Sequence, residues 1–339
     1  MIAPNYLAKH IVGFNVIDCD IRDRNTFYLL ARRDYTQDPS WNDSKEPPSE
    51  GRLQKRALSL RLNNPDEKKW GVARLDGLDM SLCAMTFRPE ANLVVMDIAS
   101  KVWMNSTATN GFEPPMQAKY QGGLLAGAIT KLKCFGEHVF SCAHGRGIFV
   151  RHDVSSWHLV GNELTFAYVA GTSRNFGFED FDAVSPTDVV AVGGAGDVWE
   201  FNGQTWRQCA FPTTWGLSAV CCGGDGEVYV CAGGGTIYRG RGDRWTRVAE
   251  GDFTLPFKDM VWYEDKLWCT SDYGLWTFDG KSLEEADVPS GVKICSGNLA
   301  TRDGVLLVAG YGGAAFKRDG QWTEIFHDYA LRELASKPK

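Results

Sequence analysis

The sequence of 339 residues lacks the patterns that mark several common classes of protein. No stretch approaches the roughly 18–20 apolar residues of a membrane span, and residues 1–20 lack the charged and long apolar segments of a secretory signal. No G-x-S-x-G, P-loop or dinucleotide-binding pattern occurs, and the glycine-rich GGDG and GGG segments lead into strand-like rather than helical sequence. These absences argue against a membrane, secreted, nucleotide-binding or serine-hydrolase protein, and we expect a cytoplasmic one.

The cysteines and histidines do not form the spacings that metal sites require. The ten cysteines include no C-x-x-C pair and lie largely inside apolar runs, where small apolar side chains pack well. Cys221 and Cys222 are adjacent, so they point to opposite faces of a strand and do not share a metal ion. The six histidines include no H-E-x-x-H motif and no pair at ligand spacing. We therefore expect reduced thiols in a reducing compartment, no metal and no cofactor.

The charge of the chain gives no indication of nucleic-acid binding. Lys and Arg number 36 and Asp and Glu number 42, which gives a net charge of −6. A DNA-binding protein normally shows a clustered basic face, and an acidic excess gives no such bias. The small negative charge favours a basic partner.

What the sequence does contain is an internal repeat. Four glycines follow one another at intervals of 39 residues: Gly196, Gly235, Gly274 and Gly313. Gly147 precedes the first of them by 49 residues, as expected for one unit with a ten-residue insertion. A tryptophan stands ten residues after three of these glycines and nine after the last: Trp157, Trp206, Trp245 and Trp322. Two positions that stay in phase along the chain indicate a repeat protein.

Each unit has the pattern of four short antiparallel strands. An apolar run precedes each glycine, such as VVAV (189–192) and VLLVA (305–309), and runs of this kind are typical of buried strands. A second run follows the glycine, and an Asp-Gly, Asn-Gly or Gly-Asp turn then leads to the tryptophan strand. A further apolar run lies upstream. Four strands in about 39 residues predict the blade of a β-propeller.

The units predict an all-β, seven-bladed propeller of four-stranded antiparallel blades in a single domain, 1–339. The predicted blades are 14–77, 80–117, 125–164, 178–213, 214–251, 254–291 and 294–326. Six or eight blades remain alternatives, because the first two units are weakly marked. The pattern G-x-x-G-x-apolar-apolar up to N-G-x-x-W in Gly193–Trp206 resembles the BNR/YCF48-like and kelch-adjacent repeats of bacterial propellers. This resemblance covers about the C-terminal two-thirds of the chain, and it implies a fold rather than an activity.

Three side chains are the main candidates for catalysis. His144 lies in a predicted turn (AHGRG), and Glu179 and Asp180 belong to the segment FEDFD. Placed around the central opening, these groups would suit a carbohydrate-active enzyme of the glycosidase or lyase type. The other interpretation makes FEDFD an inter-blade loop whose phenylalanines pack and whose acids are solvated. We expect no catalytic residue, and a purely structural assembly subunit is a third alternative.

Propeller geometry predicts a binding face. The turns between second and third strands share one face with the linkers into each first strand, and their chemistry varies around a fixed glycine. The long segment 36–55 belongs to this face if it joins the second and third strands of blade 1, although its composition also fits disorder. The predicted partner-binding residues are Trp41, His144, Arg146, Phe176, Glu179, Asp180, Trp215, Phe257, Lys258, Asp272, Tyr273 and Tyr311.

These observations lead to the hypothesis of a non-catalytic propeller that binds another protein. Solo propellers without catalytic motifs resemble adaptor proteins and immunity proteins that neutralise toxins in a bacterial cytoplasm. The expected partner is a toxin domain or a secretion-system component, with no nucleic acid and no membrane. Arg146, Tyr273 and Tyr311 lie in the turns, and we expect none of them to contribute to stability. Replacing them should therefore lower the affinity for the partner but not the stability of the fold.

Overall fold

The structure, a computed structural model, describes residues 1–38, 40–42, 46–105, 110–114, 116, 119–120, 123–124, 128–161, 164, 177–251 and 253–336. Seven four-stranded antiparallel sheets follow one another along the chain, each built from four consecutive strands. The seven-bladed propeller predicted from the repeat is therefore confirmed.

The first three blades include the units with the weakest sequence pattern. Blade 1 contains β1 Phe14–Asp23, β2 Thr26–Arg33, β3 Lys55–Arg61 and β4 Trp70–Leu75. Blade 2 contains β5 Ser81–Thr86, β6 Asn92–Asp97, β7 Val102–Asn105 and β8 Asn110–Glu113. A two-stranded sheet of β9 Lys119–Tyr120 and β10 Gly123–Leu124 follows. Blade 3 contains β11 Ile129–Phe135, β12 His138–Ala143, β13 Gly147–Asp153 and β14 Ser156–Leu159.

The last four blades follow the 39-residue repeat. Blade 4 contains β15 Phe178–Ser185, β16 Asp188–Gly193, β17 Asp197–Phe201 and β18 Trp206–Cys209. Blade 5 contains β19 Leu217–Cys222, β20 Val228–Ala232, β21 Thr236–Arg241 and β22 Arg244–Ala249. Blade 6 contains β23 Asp259–Tyr263, β24 Lys266–Ser271, β25 Gly274–Phe278 and β26 Leu283–Glu285. Blade 7 contains β27 Asn298–Arg302, β28 Val305–Gly310, β29 Gly313–Arg318 and β30 Gln321–His327.

Two terminal helices hold the ring closed. Each blade comes from one continuous segment, so no strand is exchanged between the chain ends in the described sheets. Instead α1 (Pro4–Ile11) and α3 (Asp328–Ser336) pack together, and Leu7 and Leu331 are fully buried in one core with residues of blades 1 and 7. The N–H of Ile2 donates to the carbonyl of Ile325 on β30 at 2.8 Å. A third, four-residue helix, α2 (Ser290–Lys293), lies in the linker before blade 7.

The repeated tryptophan occupies the fourth strand and packs against the preceding blade. Trp206 is 8 % exposed, lies in a cluster with Phe178 and Phe201, and donates its indole N–H to the carbonyl of Val160 at 2.8 Å. Trp322 packs edge-on against Trp268 of blade 6, with 5.9 Å between the ring centroids. Because these rings fill the space between neighbouring sheets, the repeat in the sequence is a repeat of inter-blade packing.

Aspartates on the first strands connect blades around the central channel. Asp18 on β1 accepts from the N–H of Cys83 in blade 2 at 2.7 Å. Asp182 on β15 accepts from the N–H of Cys222 in blade 5 at 2.7 Å. First strands have no ladder partner on their inner side, so these carboxylates satisfy backbone N–H groups that would otherwise be unpaired.

Candidate functional site

The turns between second and third strands and the linkers between blades form one face of the disc, which we call the tip face. Six large apolar side chains are exposed on its C-terminal part, and we call this set the apolar arc: Trp215, Leu255, Tyr273, Ile294, Tyr311 and Tyr329. Tyr273 is the most exposed, at 83 %. At the turns of the opposite face, the exposed large apolar side chains among the described residues are Val154 and Val184. The two faces therefore differ sharply in apolar character.

In the first half of the apolar arc, each linker packs against the tip of the blade that follows it. Trp215, in the linker before blade 5, covers the tip of that blade, because a Cβ built on Gly233 would lie 3.4 Å from its ring. In the next linker, Phe253 packs on Trp276 of blade 6 with 4.8 Å between ring centroids. Linker and blade 6 tip enclose a groove of about 550 Å³. Its lining residues are Phe253, Thr254, Leu255, Phe257, Ser271, Tyr273 and Trp276.

The second half of the arc continues through blade 7 into the C-terminal helix. A Cβ built on Gly312 would lie 2.0 Å from the carbonyl oxygen of Ile294, so the linker crosses directly beneath the blade 7 tip. Gly312 has no side chain to prevent this approach. Its carbonyl accepts from the N–H of Asp328, the first residue of α3, at 3.0 Å. The helix carrying Tyr329 is thus attached to the tip that carries Tyr311.

Several predicted binding residues lie on this surface. Trp215, Tyr273 and Tyr311 are 56 %, 83 % and 47 % exposed. Lys258 and Asp272, which directly follow the groove residues Phe257 and Ser271, form an ion pair of 3.1 Å, and both are partly exposed. The sequence missed the other arc members, Leu255, Ile294 and Tyr329; the first two occupy linker positions comparable to that of Trp215, which was a usable signal.

Two predicted binding residues are buried, and their prediction is wrong. Phe257 is 1 % exposed and packs beneath the groove against Phe253 and Trp276. Asp180 is also 1 % exposed and forms an ion pair of 3.0 Å with Lys133. The segment FEDFD is not a loop but part of the innermost strand β15, where alternation turns Asp180 and Asp182 towards the channel. Asp180 is therefore not solvated, whereas the side chain of Glu179 is 41 % exposed. Phe178 and Phe181 pack in the core as expected.

Arg146 has a structural contact, which corrects the expectation that its side chain contributes to partner binding and not to stability. Its Nε and Nη2 donate to the two carboxylate oxygens of Asp197 at 2.7 and 3.0 Å, and its guanidinium lies 5.2 Å from the centroid of Trp199. Its side chain is only 12 % exposed. The contact joins the tip of blade 3 to blade 4.

His144 and Glu179 form a partly exposed pair on the tip face. The imidazole Nε2 lies 2.9 Å from Oε1 of Glu179, and this hydrogen bond raises the pKa of His144 above its usual value of 6.5. Trp41 is partly exposed and packs edge-on against Tyr35, 4.7 Å between centroids, in the connection between β2 and β3. That connection was placed correctly. Phe176 lies outside the described residues.

The central channel is lined by charges that contact one another. A cavity of about 300 Å³ lies between the first strands. Lys131 binds Asp259 across the channel at 2.9 Å, and the second oxygen of Asp259 accepts from the N–H of Leu299 at 3.0 Å. Burial acts to raise the pKa of Asp259, but Lys131 and Lys133 hold it below its usual value. Burial raises the pKa of Asp18 to about 6.

The thiols of the chain are structural in character. All ten cysteines, each of which the structure describes, are free. Burial raises the pKa of Cys134, Cys142, Cys209 and Cys295 to about 12, so these groups stay protonated and unreactive near neutral pH. In the described ranges no cluster of three His, Cys, Asp or Glu side chains could hold a metal ion. None of the helices that the structure describes has the length and apolar character to cross a membrane.

The fold and its exposed face define the class of protein: a β-propeller. No protein-family model matches the sequence. Among curated proteins, the chain is 30 % identical over 200 residues to a protein of Pseudomonas aeruginosa named Immune protein Tsi7. The match covers 59 % of this chain and 64 % of that protein, slightly less than two-thirds of its length.

Solved propellers resemble the whole chain in fold. YCF48 from Cyanidioschyzon merolae superposes with a TM-score of 0.60 at 12 % identity, covering 91 % of this chain and 96 % of that one. YCF48 bound to D1 peptide gives 0.58 at 13 % identity, with 91 % and 94 % covered. The WD40 propeller domain of Doa1 gives 0.58 at 12 % identity, with 90 % and 94 % covered. At such low identity these neighbours establish the β-propeller fold alone, and they are WD40 and YCF48 propellers rather than kelch-type ones.

Proposed function

We propose that the protein is a non-catalytic, protein-binding propeller of the immunity type, which neutralises a toxic protein by binding it on the tip face. The similarity to a protein named Immune protein Tsi7, 30 % identical over 200 residues, carries this proposal. The matched region covers 59 % of this chain, so shared ancestry of several blades supports a shared role. The partner is a toxin acting inside the same cell.

The apolar arc supports the choice of face. Interfaces gain most of their binding energy from a few buried aromatic and arginine anchors, and contiguous exposed apolar patches mark interaction sites on soluble proteins. Tyr273, Tyr311 and Trp215 are aromatic, exposed and mounted on turns held by rigid strands. The groove beside Tyr273 is deep enough to accept an apolar side chain of the partner.

The enzyme alternative has less support. It required Glu179, Asp180 and His144 to act together at the central opening. Asp180 instead accepts from the N–H of Val220 and pairs with Lys133, whereas Glu179 and His144 pair on the tip face. A charge-lined channel does occur, but its carboxylates have inter-blade partners that explain their presence. The alternative of a structural assembly subunit has no separate observation in its favour.

Co-expression with the toxic proteins encoded beside this chain in its native genome tests the proposal. Growth should be restored by this chain, and the two proteins should co-purify as a stable complex in which the toxin keeps its unmodified mass. Restored growth with a covalently altered toxin would favour the enzyme. If this chain neither restores growth nor forms a complex with any of the neighbouring toxins, the proposed function is refuted.

A further inference from the structure

Positive side chains gather at the tip-face end of blade 1, beside α1. Arg56 on β3 and Arg74 on β4 are directly opposed in the strand register. Arg33, the last residue of β2, and Arg56 both place their guanidinium groups over the ring of Phe14, at 5.5 and 3.9 Å from its centroid. Lys9 lies in the last turn of α1. We call Lys9, Arg33, Arg56 and Arg74 the cationic cluster.

The acidic residues around this cluster do not neutralise it. Glu50 pairs with Arg32 at 2.5 Å and lies 3.7 Å from Lys55, so its charge serves other cations. Asp34 is held by Thr36 and Gln37 within its own turn. In the described part of the chain, no carboxylate forms an ion pair with a member of the cationic cluster.

The like charges act on one another. Directly opposed like charges destabilise an antiparallel pair. Burial lowers the pKa of Arg56, and the charges of Arg74 and Arg33 lower it further. Burial likewise lowers the pKa of His10, followed by the charges of Arg56, Arg74 and Lys9. The pKa values of Arg56 and His10 are therefore both lowered by the positive charges of the cluster.

The fold explains only part of this arrangement. Arg56 donates to the carbonyl of His10 at the C-terminal end of α1. That end of a helix carries about half a negative charge, which is less than the charge of one of the four cations. Arg74 is exposed, and the buried Nε of Arg56 has no hydrogen-bond partner among the described residues. The cation–π contacts with Phe14 account for Arg33 and Arg56. No ion pair among the described residues accounts for the charges of Lys9 and Arg74.

We propose that the cationic cluster binds an acidic segment of the partner protein, an inference that rests on the proposed function. Arginine offers paired N–H donors that match carboxylate oxygens. The cluster also continues the apolar arc, because α1 packs on α3, the helix that carries Tyr329. One partner seated on the arc reaches the cluster without leaving the tip face. The net charge of −6 thus hides a local surface of the opposite sign.

An acidic protein segment fits this surface better than a nucleic acid does. Nucleic-acid-binding surfaces follow the phosphate backbone with an extended run of cations. The cluster is short, and two acidic residues border it along the chain: Asp34 follows Arg33, and Asp76 lies two residues after Arg74. A long polyanion meets repulsion outside the cluster, whereas two or three carboxylates are accommodated within it.

The test compares binding and stability in the variant Arg74→Glu. Arg74 is exposed and has no ion-pair partner among the described residues, so its reversal removes repulsion and should leave the melting temperature unchanged or raised. Binding of a fluorescein-labelled hexaglutamate peptide, followed by anisotropy at low ionic strength, should weaken by about fivefold or more, because a partly exposed ion pair contributes about 1 kcal/mol. The wild-type affinity should fall as salt is added.

The matched control is Lys281→Glu, which makes the same charge change at an exposed turn of the opposite face. It should bind the peptide as the wild type does. A lower melting temperature with unaltered peptide binding in Arg74→Glu would assign a structural role and overturn the proposal, as would tighter binding of an oligonucleotide of equal charge. If Arg74→Glu keeps full toxin affinity while arc variants lose it, this inference fails and the proposed function stands. If peptide binding depends on Arg74 but no toxin is neutralised, the proposed function fails and the peptide-binding role of the cationic cluster stands.

Discussion

Arg146 donates a hydrogen bond to each carboxylate oxygen of Asp197, and this contact joins the tip of blade 3 to blade 4. Asp197 is 3 % exposed, so removing the guanidinium leaves a buried carboxylate without its cation. We expect Arg146→Ala to destabilise the protein by about 3 kcal/mol, measured by urea denaturation. The control is Arg241→Ala, which breaks an exposed inter-blade pair with Asp188 and should cost less than about 1 kcal/mol. Equal effects of the two variants would contradict the structural role of Arg146.

The fourth-strand tryptophans should be essential for blade packing. Trp206→Ala removes a ring that fills the space between blades 3 and 4 and leaves the carbonyl of Val160 without its donor. Unfolding should become easier by about 3–5 kcal/mol. Trp215→Ala deletes the same side chain from an exposed site and should change stability by less than about 0.5–1 kcal/mol. A Trp206 variant that melts with the wild type would refute the packing role.

The apolar arc should carry most of the affinity for a protein partner. Tyr273→Ala and Tyr311→Ala should leave folding nearly intact, since both side chains are exposed, yet at least one should weaken binding by about 1 kcal/mol or more. Isothermal titration with the purified toxin measures this. Val184→Ala, on the opposite face, and Gln204→Ala, in a third-to-fourth-strand turn, serve as controls. Wild-type affinity in both tyrosine variants would move the interface to another surface.

The ion pair between Lys131 and Asp259 should hold the channel together. Asp259→Asn keeps an acceptor for the N–H of Leu299 but leaves the ammonium group without its counter-charge. We expect a loss of about 3–5 kcal/mol, because a broken buried pair leaves an uncompensated charge. Adding Lys131→Met should recover much of that loss, as a double-mutant cycle will show. Additive losses would mean that the two groups do not interact.

The hydrogen bond between His144 and Glu179 should be visible in an NMR titration. The raised pKa of His144 means that the folded protein binds this proton more tightly than the unfolded chain does. The stabilising contribution is therefore complete below pH 6.5 and disappears as pH rises through the folded pKa. Glu179→Gln should bring the His144 pKa down. The imidazole of His152, whose pKa burial and two neighbouring histidines lower, should not respond.

Much of the architecture could be predicted from the sequence because propeller blades repeat locally. Gly196, Gly235 and Gly313 adopt positive φ values of 74°, 73° and 148° at the entry to third strands. A side chain at Gly196 would meet the carbonyl of Thr213 at 2.0 Å, so glycine is required there and leaves a periodic trace. The tryptophans give a second periodic signal in the sequence, since each fills an equivalent space between blades.

The binding face was predicted in outline, but its residues were predicted with mixed success. Their positions in turns predicted that the side chains of Tyr273 and Tyr311 are exposed, and the structure confirms this exposure. The same prediction did not hold for Arg146, because the partner that buries it, Asp197, lies 51 residues away on the next blade. FEDFD was misplaced for a related reason: acids at a first strand look solvent-exposed until the channel and Lys133 are in place.

The sequence by itself determined the blade and its strand order and favoured seven blades over six or eight, because turn glycines and packing tryptophans act within about 40 residues. Only the tertiary structure decided what the charges do. Asp18, Asp182 and Asp259 serve as inter-blade acceptors because packing of neighbouring blades places their first strands side by side. Ring closure places α1 against α3 and so brings the cationic cluster of blade 1 next to the apolar arc of blades 5–7. Local spacing encodes a repeat, whereas contacts between distant blades depend on how the ring closes.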